Sequence, residues 1–418
     1  MKWWRLWRVR ILLFLAVLGP GFITANVDND TGGIFTYSQA GAQYGLLLLW
    51  TILPVTLALI VVQEMSARMG VVTGKGLSDL IREEFGLRMT FVMMILLVIV
   101  NYGNVVSEFS GVAASMQLFH VTKYLSVPIC AAAVWALVVK GDYKSVEKVF
   151  LVASVIYLAY IAAGVVSHPD WHEALKATIT LPPRSVWKDK DYIYLTIGVI
   201  GTTIAPWMQF YLQSAVVEKR VTIDDYPLSR LDVIIGCIVT DVVAFFIVLA
   251  CGATIFKVGG HIEDAKDAAL ALRPLAGTYA SGLFAFGLFN ASLFAASILP
   301  LSTAYYVCEA FGWESGIDKR GEEAPQFYFL YTALIVLGAG LVLLPGLPLL
   351  KIMLLSQTAN GVLLPFILIF MLLLAQDGRL MGEYRNRRVL SIISWMTVVI
   401  LVALTVMMLV FSIRDAFA

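Results

Sequence analysis

Asp28 and Asp30 stand with two carboxamides, Asn26 and Asn29, and the pair Gly32-Gly33 inside an otherwise apolar segment near the N-terminus. Carboxylate and amide oxygens at this spacing are ligands for a hard cation or markers of an ion path. The apolar run from Ile11 to Phe22 is shorter than the ~20 residues a helix needs to cross a bilayer, so the polar stretch belongs inside the span. A polar, glycine-rich break at that depth is tolerated where it lines a cavity. On a continuous helix the two aspartates would point about 200° apart. Both can face one ion only across unwound backbone, which Gly32 and Gly33 permit at small cost.

Other polar groups fall inside apolar runs. Asn101, Asn104 and Glu108 share one helix face, as interhelical hydrogen-bonding groups or, for Glu108, as part of a pathway. Gly201, Thr202, Thr203 and Pro206 interrupt a second span near its middle. Asp241 is a further acid on the path or beside it, and Ser356-Gln357 opens a polar patch that ends at Asn360-Gly361. No Lys or Arg has to lie at mid-membrane, and His120, His168, His172 and His261 all fall in or beside outer loops. A path lined by carboxylates without buried bases suits a cation, and no histidine is placed for a mid-membrane proton relay.

The elements that position these groups are membrane helices. The chain has 418 residues, 60% hydrophobic and 14% charged, with mean hydropathy +0.83. That composition indicates a single polytopic helical domain over residues 1–418. A net charge of +1 without a basic-aromatic stripe gives no reason to expect nucleic acid. Cys130, Cys237, Cys251 and Cys308 lie in apolar segments without a CxxC pair and read as core residues. About eleven spans are expected, at 11–42, 46–66, 90–119, 124–139, 146–166, 192–217, 233–256, 281–311, 327–344, 349–375 and 389–411. The first is read as retained rather than cleaved. A cytoplasmic N-terminus places 20 of the 30 Lys and Arg residues on the inner side, which leaves the C-terminus extracytoplasmic. After the second span, a Gly/Thr turn precedes Leu77, Leu80 and Ile81, expected on one face of a short helix at the membrane surface. Breaks at matching places in the first and sixth spans point to two inverted five-helix repeats, about 11–166 and 192–375, plus an extra helix at 389–411.

Several of these stretches resemble the Nramp family of divalent-metal transporters. They are Gly19-Pro-Gly-Phe22 with Asp30-Thr-Gly-Gly33, Arg68-Met-Gly-Val-Val-Thr-Gly-Lys75, Gly201-Thr-Thr-Ile-Ala-Pro206, Ser356-Gln357, and Leu380-Met-Gly-Glu-Tyr-Arg-Asn386. The resemblance implies a LeuT-type all-α fold, with Asp30 as the main metal ligand and Gln357, Thr202 and the Ala205 carbonyl as secondary ones. It also matches Glu108 to the family's glutamate in span three. At several positions this chain departs from the family pattern. Gly33 stands for a ligand Asn, Ala205 for a ligand Met, Trp207 for a His, and Val105 for an Asp often present in span three. Loss of the thioether removes a soft ligand and leaves oxygen donors, which suit Mg²⁺. This pattern resembles the Nramp-related magnesium transporter branch.

The expectation is therefore a plasma-membrane importer of Mg²⁺, and of Mn²⁺ as a second cargo, working by alternating access without proton coupling and without a resident cofactor. Its metal-site candidates are Asp30, Thr202, Ala205, Gln357, Asp28 and Gly33. Its pathway candidates are Glu108, Trp207, Asn104 and Asp241. The alternative is a proton-coupled Mn²⁺ or Fe²⁺ importer. An amino-acid carrier is disfavoured by two acids at the first break, and an embedded enzyme by the lack of a nucleophile–base pair or HExxH motif. A channel would use similar carboxylates.

Overall fold

The computed structural model describes residues 19–141, 157–260, 262–263, 265–270, 277 and 280–416. The basic N-terminal stretch, the start of the first span, residues 146–156 of the fifth and His261 lie outside the described residues. Among those described there is no strand. The helices are α1 (Pro20–Asn26), α2 (Thr31–Tyr44), α3 (Ile52–Thr73), α4 (Leu77–Phe85), α5 (Leu87–Leu118), α6 (Lys123–Lys140) and α7 (Leu158–Val166). They continue as α8 (Trp171–Ile179), α9 (Lys190–Thr203), α10 (Pro206–Glu218), α11 (Tyr226–Thr254), α12 (Ala265–Ala269) and α13 (Ala280–Phe311). The last four are α14 (Pro325–Leu343), α15 (Leu349–Gln376), α16 (Gly378–Met381) and α17 (Arg388–Ala416).

Among the described residues, nine segments are long and apolar enough to cross a membrane. They are built on α3, α5, α6, α9 with α10, α11, α13, α14, α15 and α17. The two other expected spans, α1 with α2 and the one ending in α7, both extend into residues outside the description. Proline begins α1, α10 and α14, where its missing N–H costs nothing and its fixed φ suits the first turn. Apolar side chains such as Ile99 on α5, Val336 on α14 and Val399 on α17 are exposed, as a lipid-facing surface requires.

The interior is organised around α1, α2, α9 and α10. On one side α11 packs along α1 and α2, and α3 packs along α10 and α11. On the other, α5 lies against α13 and α15, and α15 against α9. Close backbone approach holds α9 to α15. A Cβ on Gly201 would sit 2.3 Å from the Gln357 carbonyl oxygen, and one on Gly361 would sit 2.6 Å from the Ile197 carbonyl oxygen.

The short helix α4 departs from expectation. Leu77, Leu80 and Ile81 are buried in protein, against α13 and α5, rather than laid on the membrane surface. Arg82 is the physical reason. Its Nη1 donates to the Glu309 carbonyl at 2.9 Å, at the C-terminal end of α13, where a cation meets the negative dipole end.

Candidate functional site

The first span breaks where its composition demands. α1 stops at Asn26, Val27–Asn29 forms one 3₁₀ turn, and Asp30 is extended (φ −72°, ψ −175°) before α2 begins at Thr31. The start of α1 is held by a residue the sequence did not single out. Asp232 on α11 accepts from the backbone N–H of Gly19 (2.9 Å), Gly21 (2.8 Å) and Phe22 (3.2 Å). No spacing rule links residues more than 200 positions apart, so this cap had no local signal.

Asp30 is buried and serves as the N-cap of α2, with Oδ1 accepting from Gly33 N at 2.6 Å. The Gln357 amide of α15 lies 3.5 Å from the same oxygen. Behind Gln357 runs a chain of amides. Asn360 Nδ2 donates to Gln357 Oε1 at 2.9 Å, and Asn104 Nδ2 donates to Asn360 Oδ1 at 3.0 Å. Asn101 Nδ2 donates to the Leu299 carbonyl and to Thr303 on α13. The asparagines of α5 are thus interhelical hydrogen-bonding groups, and Asn104 reaches the Asp30 neighbourhood through Asn360. Glu108 is fully buried, and its Oε2 accepts from Thr31 N at 3.2 Å, one residue beyond Asp30.

Asp28 faces another way. The Tyr37 hydroxyl lies 3.1 Å from its Oδ2, and Thr240 Oγ1 on α11 donates to the same oxygen at 3.3 Å. Asn29 Nδ2 donates to Thr240 Oγ1 at 2.7 Å, and the Tyr37 and Thr203 hydroxyls are 2.7 Å apart. Asp241 follows Thr240 on α11, buried, with Thr56 of α3 as its polar neighbour. The two aspartates of the break thus have separate sets of partners, Asp30 toward α5 and α15, Asp28 toward α11.

The second break contributes little charge. α9 ends at Thr203, Ile204 (φ −119°, ψ 60°) turns the chain, and Ala205 caps α10 without a side-chain bond. The Ala205 carbonyl accepts from Met208 N at 3.1 Å. Trp207 is buried against Tyr211, and its carbonyl accepts from Ser302 at 3.2 Å. The breaks meet at Gly33, where a Cβ would stand 2.2 Å from the Asp28 carbonyl oxygen and 3.1 Å from Thr202 Oγ1. That hydroxyl is buried without a hydrogen-bond partner. Among the described residues no three His, Cys, Asp or Glu side chains converge as a metal cluster. Any cation here is completed by amide, hydroxyl or backbone oxygens, or by its own water.

Two interrupted spans packed face to face in a helical bundle, with carboxylates at the first break, define a transporter of the LeuT type. Solved structures share that architecture. A manganese transporter from Eremococcus coleocola, in complex with an aromatic bis-isothiourea substituted compound, superposes with TM-score 0.76 at 23% identity, covering 94% of this chain and 85% of that one. MhsT in complex with L-phenylalanine superposes with TM-score 0.63 at 15% identity, covering 93% and 97%. The family model described as "Natural resistance-associated macrophage protein-like" matches residues 21–411, and the chain belongs to this Nramp family. Among sequence relatives, the divalent metal cation transporter MntH of Ralstonia nicotianae is 28% identical over 406 residues, covering 91% of this chain and 87% of the relative. MntH of Bacillus subtilis is 26% identical over 412 residues, covering 96% and 93%.

Proposed function

We propose that this protein carries divalent metal ions across the membrane by alternating access, with Mg²⁺ as its preferred cargo and no proton coupling. The observation that carries this reading is the oxygen-only donor set where the breaks meet. Asp30 and the unpartnered Thr202 hydroxyl stand beside Gly33, Gln357 turns its amide nitrogen to Asp30 beside Gly32, and Ala205 brings a methyl group where the family resemblance places a thioether. A small, strongly hydrated ion that keeps part of its water suits one carboxylate with neutral oxygens, whereas a softer transition metal gains from sulfur. The first spans of the repeats supply the ion site, and the helices around them supply the scaffold against which they tilt.

The drive is the cation gradient together with an inside-negative potential. A divalent ion gains about 4.6 kcal/mol per 100 mV on moving inward. Trp207 and Val105 remove the two titratable positions the resemblance associates with a proton route. The working orientation is N-terminus cytoplasmic and C-terminus extracytoplasmic, in the plasma membrane, with repeats over about 11–166 and 192–375.

One observation favours the alternative of a proton-coupled Mn²⁺ or Fe²⁺ importer. Glu108 touches the backbone beside Asp30, and its Oε1 is buried without a partner. The deciding experiment is flux into proteoliposomes with Mg²⁺, Mn²⁺ or Ca²⁺, recording internal pH. Mg²⁺ entry at constant internal pH is the expected result. Acidification that tracks metal entry and disappears in Glu108→Gln would instead establish the coupled mechanism.

A further inference from the structure

The last helix, α17, packs on α15 and α9 and also meets α3. Along its seam with α3 lie two cavities of opposite character. The first, of about 150 Å³, has no charged side chain in its lining. Leu57 of α3 and Met396 and Ile400 of α17 are exposed at its rim, and Ile200 and Ile204 are buried beneath. The second, of about 300 Å³, is lined by four arginines, Arg68, Arg230, Arg385 and Arg387, against two glutamates, Glu64 and Glu383. The two follow one another along the same helices. Ile393 lines the first and Leu390 the second, three positions apart on α17, as Ala58 and Glu64 do on α3. From Pro54 to Arg68 the seam follows about 21 Å of helix, more than the ~15 Å of hydrocarbon in one leaflet.

The charged end is a built structure. Glu64 and Arg68 form a buried ion pair (Nε to Oε1, 3.0 Å), and the Tyr226 hydroxyl also donates to Glu64. Arg68 in turn donates to the Tyr384 carbonyl and to Asn386 Oδ1, while Asn386 N donates to the Ala375 carbonyl at 2.8 Å. The connection from α16 to α17 is thereby fixed, with Asn386 turned to Arg68 and its neighbours Arg385 and Arg387 both on the cavity wall. With Glu64 and Arg68 neutralising each other, three exposed arginines face one exposed glutamate. Among the described residues, none of Arg230, Arg385 and Arg387 is in an ion pair.

We propose that this seam holds one anionic phospholipid, its phosphate on Arg230, Arg385 and Arg387 and an acyl chain along the apolar groove as far as Ile204. Guanidinium groups match phosphate oxygens in charge and geometry, and a basic pocket between membrane helices suits a lipid headgroup. A soluble anion would meet the arginines and leave the groove unused, and a zwitterionic headgroup would bring its own cation to a basic wall. The proposed orientation makes this the inner leaflet, but binding itself is independent of that assignment and of the transported ion. Ile204 is the residue that turns the chain at the second break, so the lipid chain packs against the back of that break.

The test is native mass spectrometry of the purified full chain with added phosphatidylglycerol or phosphatidylcholine, with melting temperatures measured alongside. Wild type should retain one phosphatidylglycerol per chain, prefer it to phosphatidylcholine by about tenfold, and melt higher in its presence. Arg385→Gln with Arg387→Gln should lose both the preference and the stabilisation. Arg88→Gln with Lys140→Gln removes two exposed charges outside the pocket and should behave as wild type. Met396→Trp, which fills the groove from its exposed rim, should retain less of either lipid. Equal retention of the two lipids by wild type overturns the proposal, as does an Arg385/Arg387 double variant that keeps the preference or a matching loss in the Arg88/Lys140 variant. Displacement of phosphatidylglycerol by millimolar glycerol phosphate also overturns it, in favour of a free phosphate compound, and wild-type retention by Met396→Trp removes the groove from the site.

Discussion

The break in the first span is built from side chains, and the break between α9 and α10 is built from backbone. Residues 26–30 bring two carboxylates and two amides to the interior, Asn26 bonded within α1 to the Phe22 carbonyl and the other three to partners on α2 and α11. Residues 202–206 bring two hydroxyls, two apolar side chains and a proline, and the rest of what they offer is carbonyl oxygen exposed by the end of a helix. In the proposed function, the first break sets charge and the second sets size and softness, so that an ion between them would be bound because of the first and selected because of the second. On that proposal Ala205 would change the selectivity set by the second break while Asp30 keeps the anchor.

Four substitutions break or sharpen that contrast, the largest effect coming from the charged side. Asp30→Asn keeps an N-cap for α2, since Asn caps as well as Asp, but removes the charge. Removing one partner of a buried charged interaction costs ~3–5 kcal/mol, so metal flux should fall by at least ~100-fold with the melting temperature little changed. Flux near the wild-type rate in a proteoliposome assay would move the site elsewhere.

Gly33→Asn should act on folding before it acts on selectivity. Its Cβ would stand 2.2 Å from the Asp28 carbonyl oxygen, a backbone atom that cannot rotate away. Strain of the order of ~1–3 kcal/mol should show as a lower melting temperature and poorer yield. Restoring the family pattern at both breaks together is for this reason a poorer experiment than changing Ala205 alone.

Ala205→Met should raise the Mn²⁺ over Mg²⁺ preference by roughly tenfold, about 1.4 kcal/mol, through the added soft ligand. Competition between the two ions in the flux assay reads this directly, and an unchanged ratio in a folded variant would refute a selective role for the second break. Gln357→Ala has the smallest expected effect. It removes one neutral donor worth about 1 kcal/mol and should weaken apparent affinity several-fold with maximal flux preserved. A complete loss would show that the amide chain through Asn360 and Asn104 is essential to the site's shape.

Much of this arrangement was legible in the chain. Hydropathy located the membrane helices, and the polar and glycine content of 26–33 and 201–206 located both breaks. The helix-face spacing of Asn101, Asn104 and Glu108 placed all three in the interior, where they are. Other features were not legible. α4 has an amphipathic pattern that serves a membrane surface or a protein groove equally well, and Arg82 with the end of α13 decided for the groove. Asp232 reads as an ordinary acid near a helix start until the fold sets it against Gly19 and Gly21.

The sequence by itself determined that this is a helical membrane protein with two broken spans and carboxylates at one of them. Burial of apolar residues and the backbone's need for internal hydrogen bonds depend on residue type and order along the chain. The tertiary structure alone decided the different surroundings of two aspartates only two residues apart. Their separation in the chain is constant, but the direction of each depends on one turn of 3₁₀ helix and on hydrogen bonds from α11 and α15, which lie far away in sequence. The space at Gly33 was decided in the same way, because a van der Waals contact between two backbone segments has no counterpart in local composition.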